Sequence, residues 1–121
     1  MKQKLFAVIL LVVVISFVTI NTIVIDRQIE EIMTGVEEVD INSENAEDDI
    51  LRIFEDFKRK ERYISLTVNH DDLTNIEDCF VSLVGYLSVG NTDEAEVTRN
   101  RLTNSLEHLK RLSTFTIDAI I

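Results

Sequence analysis

The residues that metal or acid–base chemistry would draw on here are two histidines, one cysteine and 22 carboxylates. His70 stands beside Asp71 and Asp72, a grouping that invites a divalent cation. A zinc site needs three or four ligands converging in fixed geometry. Consecutive residues at a helix start point in different directions, so Asn69-His70-Asp71-Asp72 reads as a capping turn rather than a metal centre. The nearest approach to a helical Glu-x-x-His pair is Ser105-Leu106-Glu107-His108, which lacks the spacing. His108 falls off the apolar stripe of its helix and reads as a surface or boundary residue.

The remaining candidates are no stronger. The carboxylates lie on hydrophilic helix faces, whereas a general acid needs a desolvated pocket to raise its pKa. Neither a Gly-rich phosphate loop nor a serine nucleophile elbow is present. Cys79 is the lone cysteine, so the chain has no internal disulfide framework. It sits in an apolar helical pattern and reads as a small core residue. Lys58, Arg59, Lys60 and Arg62 form a basic cluster that could hold an anion; the simpler reading is that it offsets the acidic start of a neighbouring helix. The expectation is a non-enzymatic protein with no catalytic, metal or cofactor residue.

The element that positions everything else is an N-terminal run. Leu5 to Ile25 is uncharged over 21 residues, long enough as a helix to cross a hydrocarbon core of roughly 30 Å. A removable signal peptide is the main competitor. It would carry a shorter apolar stretch and a small-x-small cleavage site, and Phe17 to Ile25 has no Ala or Gly. A signal anchor in the cell membrane is therefore expected. Lys2 and Lys4 flank the run on one side and Asp26, Arg27, Glu30 and Glu31 on the other, Arg27 working against the asymmetry. Cationic flanks stay cytoplasmic, so residues 1–4 are expected inside and the rest outside.

All 22 acids and 10 of the 12 Lys and Arg follow the run, a net charge near −12 on the exterior part. Such a surface is repelled by nucleic acid, and no nucleic-acid partner is expected. Proline is absent and glycine occurs only three times, a composition that favours long helices with short connections.

The apolar periodicity divides that exterior part. Ile29, Ile32, Met33, Val36 and Val39 form one stripe at helical spacing, so the anchor is expected to continue as a juxtamembrane acidic helix over 26–41, with Gly35 as either a hinge or a packing point. Residues 42–121 are expected to form the bundle proper. Ser43 is the expected N-cap of a second helix with Ala46, Ile50, Ile53, Phe54, Phe57 and Ile64 inward. The β-branched stretch Tyr63–Val68 is taken as its last turns. A third helix follows, with Leu73, Ile76, Phe80, Leu83, Val84 and Leu87 inward, closed by Gly90-Asn91. The fourth, with Thr92 as expected N-cap, carries Ala95, Thr98, Leu102, Ser105, Leu106, Leu109 and Leu112 at heptad-like, coiled-coil spacing. Short connections make neighbours antiparallel. The predicted fold is all-α: a transmembrane helix extending into an antiparallel bundle with three further helices.

The layout resembles a bacterial family of small membrane-anchored proteins known only as a domain of unknown function. Three features carry the resemblance: the anchor followed at once by an acidic helix, the segment Asn69-His70-Asp71-Asp72-Leu73-Thr74-Asn75-Ile76, and the closing Leu106-Glu107-His108-Leu109 before an apolar end. The chain departs from that pattern in having no Trp around Tyr63. The resemblance implies an all-helical exterior domain and supplies no activity to carry over.

Two segments stand as candidate interaction surfaces: Asn69, His70, Asp71 and Asp72, and the apolar residues Phe115, Ile117, Ile120 and Ile121. The expected role is that of an accessory or scaffold subunit, working through a membrane-protein partner or self-association. The alternative is an extracytoplasmic ligand-binding or sensor module that signals through a membrane partner.

Overall fold

The computed structural model describes residues 2–64 and 70–120, with the backbone alone described for Tyr63 and for 113–120. Among the described residues four helices follow one another: α1 (Lys2–Glu38), α2 (Ala46–Ile64), α3 (His70–Ser88) and α4 (Thr92–Ile120). Each packs beside its neighbours in the chain, and α4 closes the ring against α1. The result is an all-α, up-and-down bundle.

The helix starts differ in detail from expectation. Ser43 does not cap α2. Its Oγ accepts the Asn45 amide at 3.2 Å, building a turn, and Asn45 stands at the cap position, its carbonyl accepting the Asp49 amide at 2.9 Å. A serine hydroxyl satisfies a local turn as readily as a helix end, so the helix begins three residues later than Ser43. At α4 the cap is Asn91 rather than Thr92: Asn91 Oδ1 accepts the Glu94 amide at 3.3 Å. Asn91 also finishes α3. Its amide donates to the Tyr86 carbonyl at 2.9 Å, the Gly90 amide donates to the Leu87 carbonyl at 3.2 Å, and Gly90 takes a φ of 72°. This is the Schellman closure, which needs a residue free to adopt the left-handed region. One Gly-Asn pair thus ends one helix and starts the next.

The core follows the predicted stripes. Ile25, Ile29, Ile32, Val36 and Val39 from α1 and the segment after it meet Ile50, Phe54 and Phe57 from α2. Leu73, Ile76, Cys79, Phe80 and Leu83 from α3, and Ala95, Leu102, Leu106 and Leu109 from α4, complete it. Met33, Ile53, Val84 and Leu87 are half-buried at its margin. Phe80 is the centre of an aromatic group, stacked on Phe54 at 4.9 Å and tilted against Phe57 at 5.6 Å. Gly35 is a packing point. The helix runs through it unbroken, and a Cβ there would stand 3.4 Å from Ile53 Cδ1 on α2.

The long α1 has two halves with opposite surroundings. Leu5 to Val14 and Phe17 are each close to half exposed or more. From Thr22 onward one face is buried, through Ile25, Ile29, Ile32 and Val36. The packed face therefore begins inside the apolar run, not at Asp26 where the uncharged stretch stops.

Candidate interaction surfaces

His70, Asp71 and Asp72 form the first turn of α3, where the dipole favours the two acids. His70 and Asp71 are exposed and Asp72 is half-buried. The His70 carbonyl accepts the Thr74 hydroxyl at 3.1 Å. Asn69 lies outside the described residues, as do Ser65–Val68 of the expected last turns of α2. Among the described residues no three His, Cys, Asp or Glu side chains gather as a metal site would require.

Asp72 contributes instead to a different feature. A groove of about 460 Å³ runs along the outer seam of α3 and α4, lined by Asp72, Asn75, Asn100, Arg101, Asn104 and His108 among others. Asn75 Nδ2 donates to Ser105 Oγ across it at 3.3 Å. Sequence reading passed over this face. A signal was available: Asn100, Asn104 and His108 recur every four residues, and asparagine is a poor residue for a helix interior. Arg101 is exposed, and its charge acts on the Cys79 thiol. Burial pushes that thiol above its ordinary pKa, and Arg101 opposes the shift. Cys79 is 5% exposed, a core residue with little thiolate character.

The basic cluster on α2 binds its own surroundings. Lys60 bridges Asp56 at 3.1 Å and Glu31 of α1 at 3.3 Å. Arg59 reaches Asp56 at 3.5 Å, and Lys58 lies over the Phe54 ring at 4.2 Å. These contacts tie α2 to α1 and cover a face of the Phe54 ring. On the other side of α1, Lys110 of α4 bridges Glu30 at 3.3 Å, and Arg99 Nη1 donates to the Val39 carbonyl at 2.7 Å. Exposed pairs of this kind contribute roughly 0–1 kcal/mol each. Their importance is that they mark the register of α4 on α1.

One pair of acids meets across the α2–α3 seam. Glu61 shares a hydrogen bond with Glu77; that bond, burial and the repulsion between the two carboxylates push Glu61 up to about 7, while Lys58 pulls it down. It had no counterpart in the sequence reading, since the two residues are 16 apart and each looks like an ordinary helix-surface acid.

The second candidate segment lies at the end of α4. The helix carries Phe115, Ile117 and Ile120 on a described backbone, and Ile121 lies outside the described residues.

Residues 12–120 match the family described as Domain of unknown function (DUF4363). The chain belongs to the DUF4363 family. The match takes in the C-terminal part of the apolar run and continues through the packed part of α1 and the other three helices. No curated protein and no solved structure matches the chain. The family description carries no activity.

Proposed function

We propose that this DUF4363 protein is a single-pass membrane protein whose helical domain stands outside the bilayer and acts through protein–protein contact. The observation that supports this reading is the division of α1. Its first half is apolar and exposed on all sides, while its second half is a buried member of the bundle. An apolar helix left bare over Leu5–Phe17 is costly in water, at about 25 cal/mol per Å² of apolar surface, and costs nothing in lipid. The helix is long and apolar enough to cross a membrane. Because α1 is continuous, the bundle is held rigidly against its own anchor rather than swinging on a linker. Such a geometry suits a subunit that presents a fixed surface to another membrane protein.

Lys2 and Lys4 before the run, and acids after it, favour a cytoplasmic N-terminus. Crosslinking in native membranes followed by mild-detergent purification tests the reading: a discrete adduct of constant mass is expected. Recovery of the chain as a lone monomer at native abundance would remove the protein-contact role.

A second reading has one observation in its favour. The α3–α4 groove gathers three asparagines with Arg101, Asp72 and His108, an array able to hold a small polar molecule carrying both charges. Thermal-shift measurements on the full chain with amino acids and carboxylates as probes separate the readings. A ligand-binding module gains stability with one of them, and a contact subunit with none.

A further inference from the structure

We propose that the last two turns of α4 lie in the outer interface of the bilayer beside α1, so that two helices hold the bundle at the membrane. The inference rests on the reading of α1 as a span and adds a second membrane contact to it.

The argument is one of register. Arg99 of α4 meets Val39, and Lys110 of α4 meets Glu30 of α1. The two helices are antiparallel and rise equally, about 1.5 Å per residue. Continued at that register, Phe115, Ile117 and Ile120 stand level with Val24, Thr22 and Thr19 of α1, to within about a residue. On the other side, Lys60 of α2 meets Glu31, which sets the end of α2 at Ile64 only some four residues lower, near Arg27. Thus α4 continues past the level of the last described residue of α2. The burial of α1 agrees: Thr22 is 6% exposed and Ile25 0%, below the level of Ile64, and α4 is the described helix that runs there.

The bilayer supplies the other half of the argument. A hydrocarbon core of roughly 30 Å takes about 20 helical residues. Counted from Leu5, after the charge of Lys4, these end at Val24. The end of α4 therefore overlaps the outer five or so residues of the span, a depth of about 8 Å, which is within the 5–10 Å at which interfacial helices sit. Its sequence fits that depth. Between Arg111 and Ile121 the segment has one charge, Asp118, and four large apolar residues. Lys110 and Arg111 come just above, at the level of the headgroups, where cationic side chains are favoured. A segment that needed to enter the core could not carry Asp118; one meant for water would not gather Phe115, Ile117, Ile120 and Ile121 within seven residues of sequence.

The absence of tryptophan makes the test direct. Single reporters Phe115→Trp and Ile120→Trp are placed in the full chain, reconstituted in phosphatidylcholine nanodiscs with or without brominated acyl chains. Phe17→Trp reports on the span, and Val89→Trp, at a position 76% exposed in the distal hairpin, is the aqueous control. The expected result is blue-shifted emission from one or both α4 reporters, with a loss of intensity in brominated lipid comparable to that of Phe17→Trp and none for Val89→Trp. Blue-shifted but unquenched emission from both α4 reporters means that protein covers the segment, whether this bundle, a second copy or a partner, and overturns the proposal. Unshifted emission means water and overturns it equally. If Phe17→Trp is quenched while both α4 reporters are not, the span stands and the second contact falls. If Phe17→Trp is unquenched too, the span itself is wrong and the inference falls with it.

Discussion

Replacing Glu77 by glutamine should make the protein more stable at alkaline pH and less sensitive to pH. In the folded chain Glu61 titrates at about 7, against 4.5 for an unperturbed glutamate, because it shares a hydrogen bond with Glu77 and stands in a partly desolvated seam. Its folded pKa is raised, so between pH 4.5 and 7 the folded state binds more protons than the unfolded one. Linkage then requires stability to fall as pH rises across that window and to level off above it. The full difference would correspond to about 3 kcal/mol at 1.36 kcal/mol per pKa unit. Solvent screening at a site open on one side brings the expected effect to about 1 kcal/mol. Glu77→Gln leaves an amide that donates to the Glu61 carboxylate at any pH, so the variant should gain about that amount at pH 8 and almost nothing at pH 4.5. For a bundle of this size 1 kcal/mol is about 4–8 °C in Tm. The assay is thermal unfolding of full-length wild type and variant in the same detergent, followed by circular dichroism from pH 4.5 to 8. Because other carboxylates titrate in both proteins, the quantity to read is the difference between the two curves. A difference that does not change with pH, or one largest at pH 4.5, would refute the reasoning.

Other substitutions probe the frame. Phe80→Ala, which removes the ring between Phe54 and Phe57, should cost about 3–5 kcal/mol, read by denaturant unfolding, with Phe80→Leu costing clearly less. Gly90→Ala should destabilise by about 1–2 kcal/mol, because φ at 72° is strained for any residue with a Cβ. Gly85→Ala should do the reverse, gaining up to about 1 kcal/mol, since nothing lies within 4 Å of the added methyl. Cys79 should resist iodoacetamide at pH 8 in the folded protein and react at once in denaturant, given its burial and raised pKa.

The helices and their inner faces were legible because both are properties of local sequence. Ile50, Phe54 and Phe57, or Leu102, Leu106 and Leu109, repeat at the spacing that puts side chains on one face, and no proline interrupts them. The continuity of α1 from the apolar run into the bundle could be read from Ile29 to Val39 in the same way. The caps were harder. Ser43 and Asn45, or Asn91 and Thr92, are all competent cap residues within a few positions, and the choice between them rests on turn geometry that residue type leaves open. Pairings across helices were not legible at all. Lys60 finding Glu31, Glu61 finding Glu77, and the assembly of Asn75 with Asn100 and Asn104 depend on the register between elements, which charge pattern does not specify. The boundary of the packed face at Thr22 was hidden for a related reason: an apolar side chain reads alike whether lipid or another helix will cover it.

The measurement that bears most directly on the account is the side of the membrane on which each end of α1 lies. Cys79 is buried, so the chain offers a quiet background for added cysteines. Gln3→Cys precedes the apolar run, and Glu94→Cys sits on the exposed first turn of α4. A membrane-impermeant maleimide applied to intact cells should label Glu94→Cys, and should label Gln3→Cys only after lysis. Labelling of Gln3→Cys in intact cells, or protection of Glu94→Cys until lysis, would contradict a bundle held outside by α1.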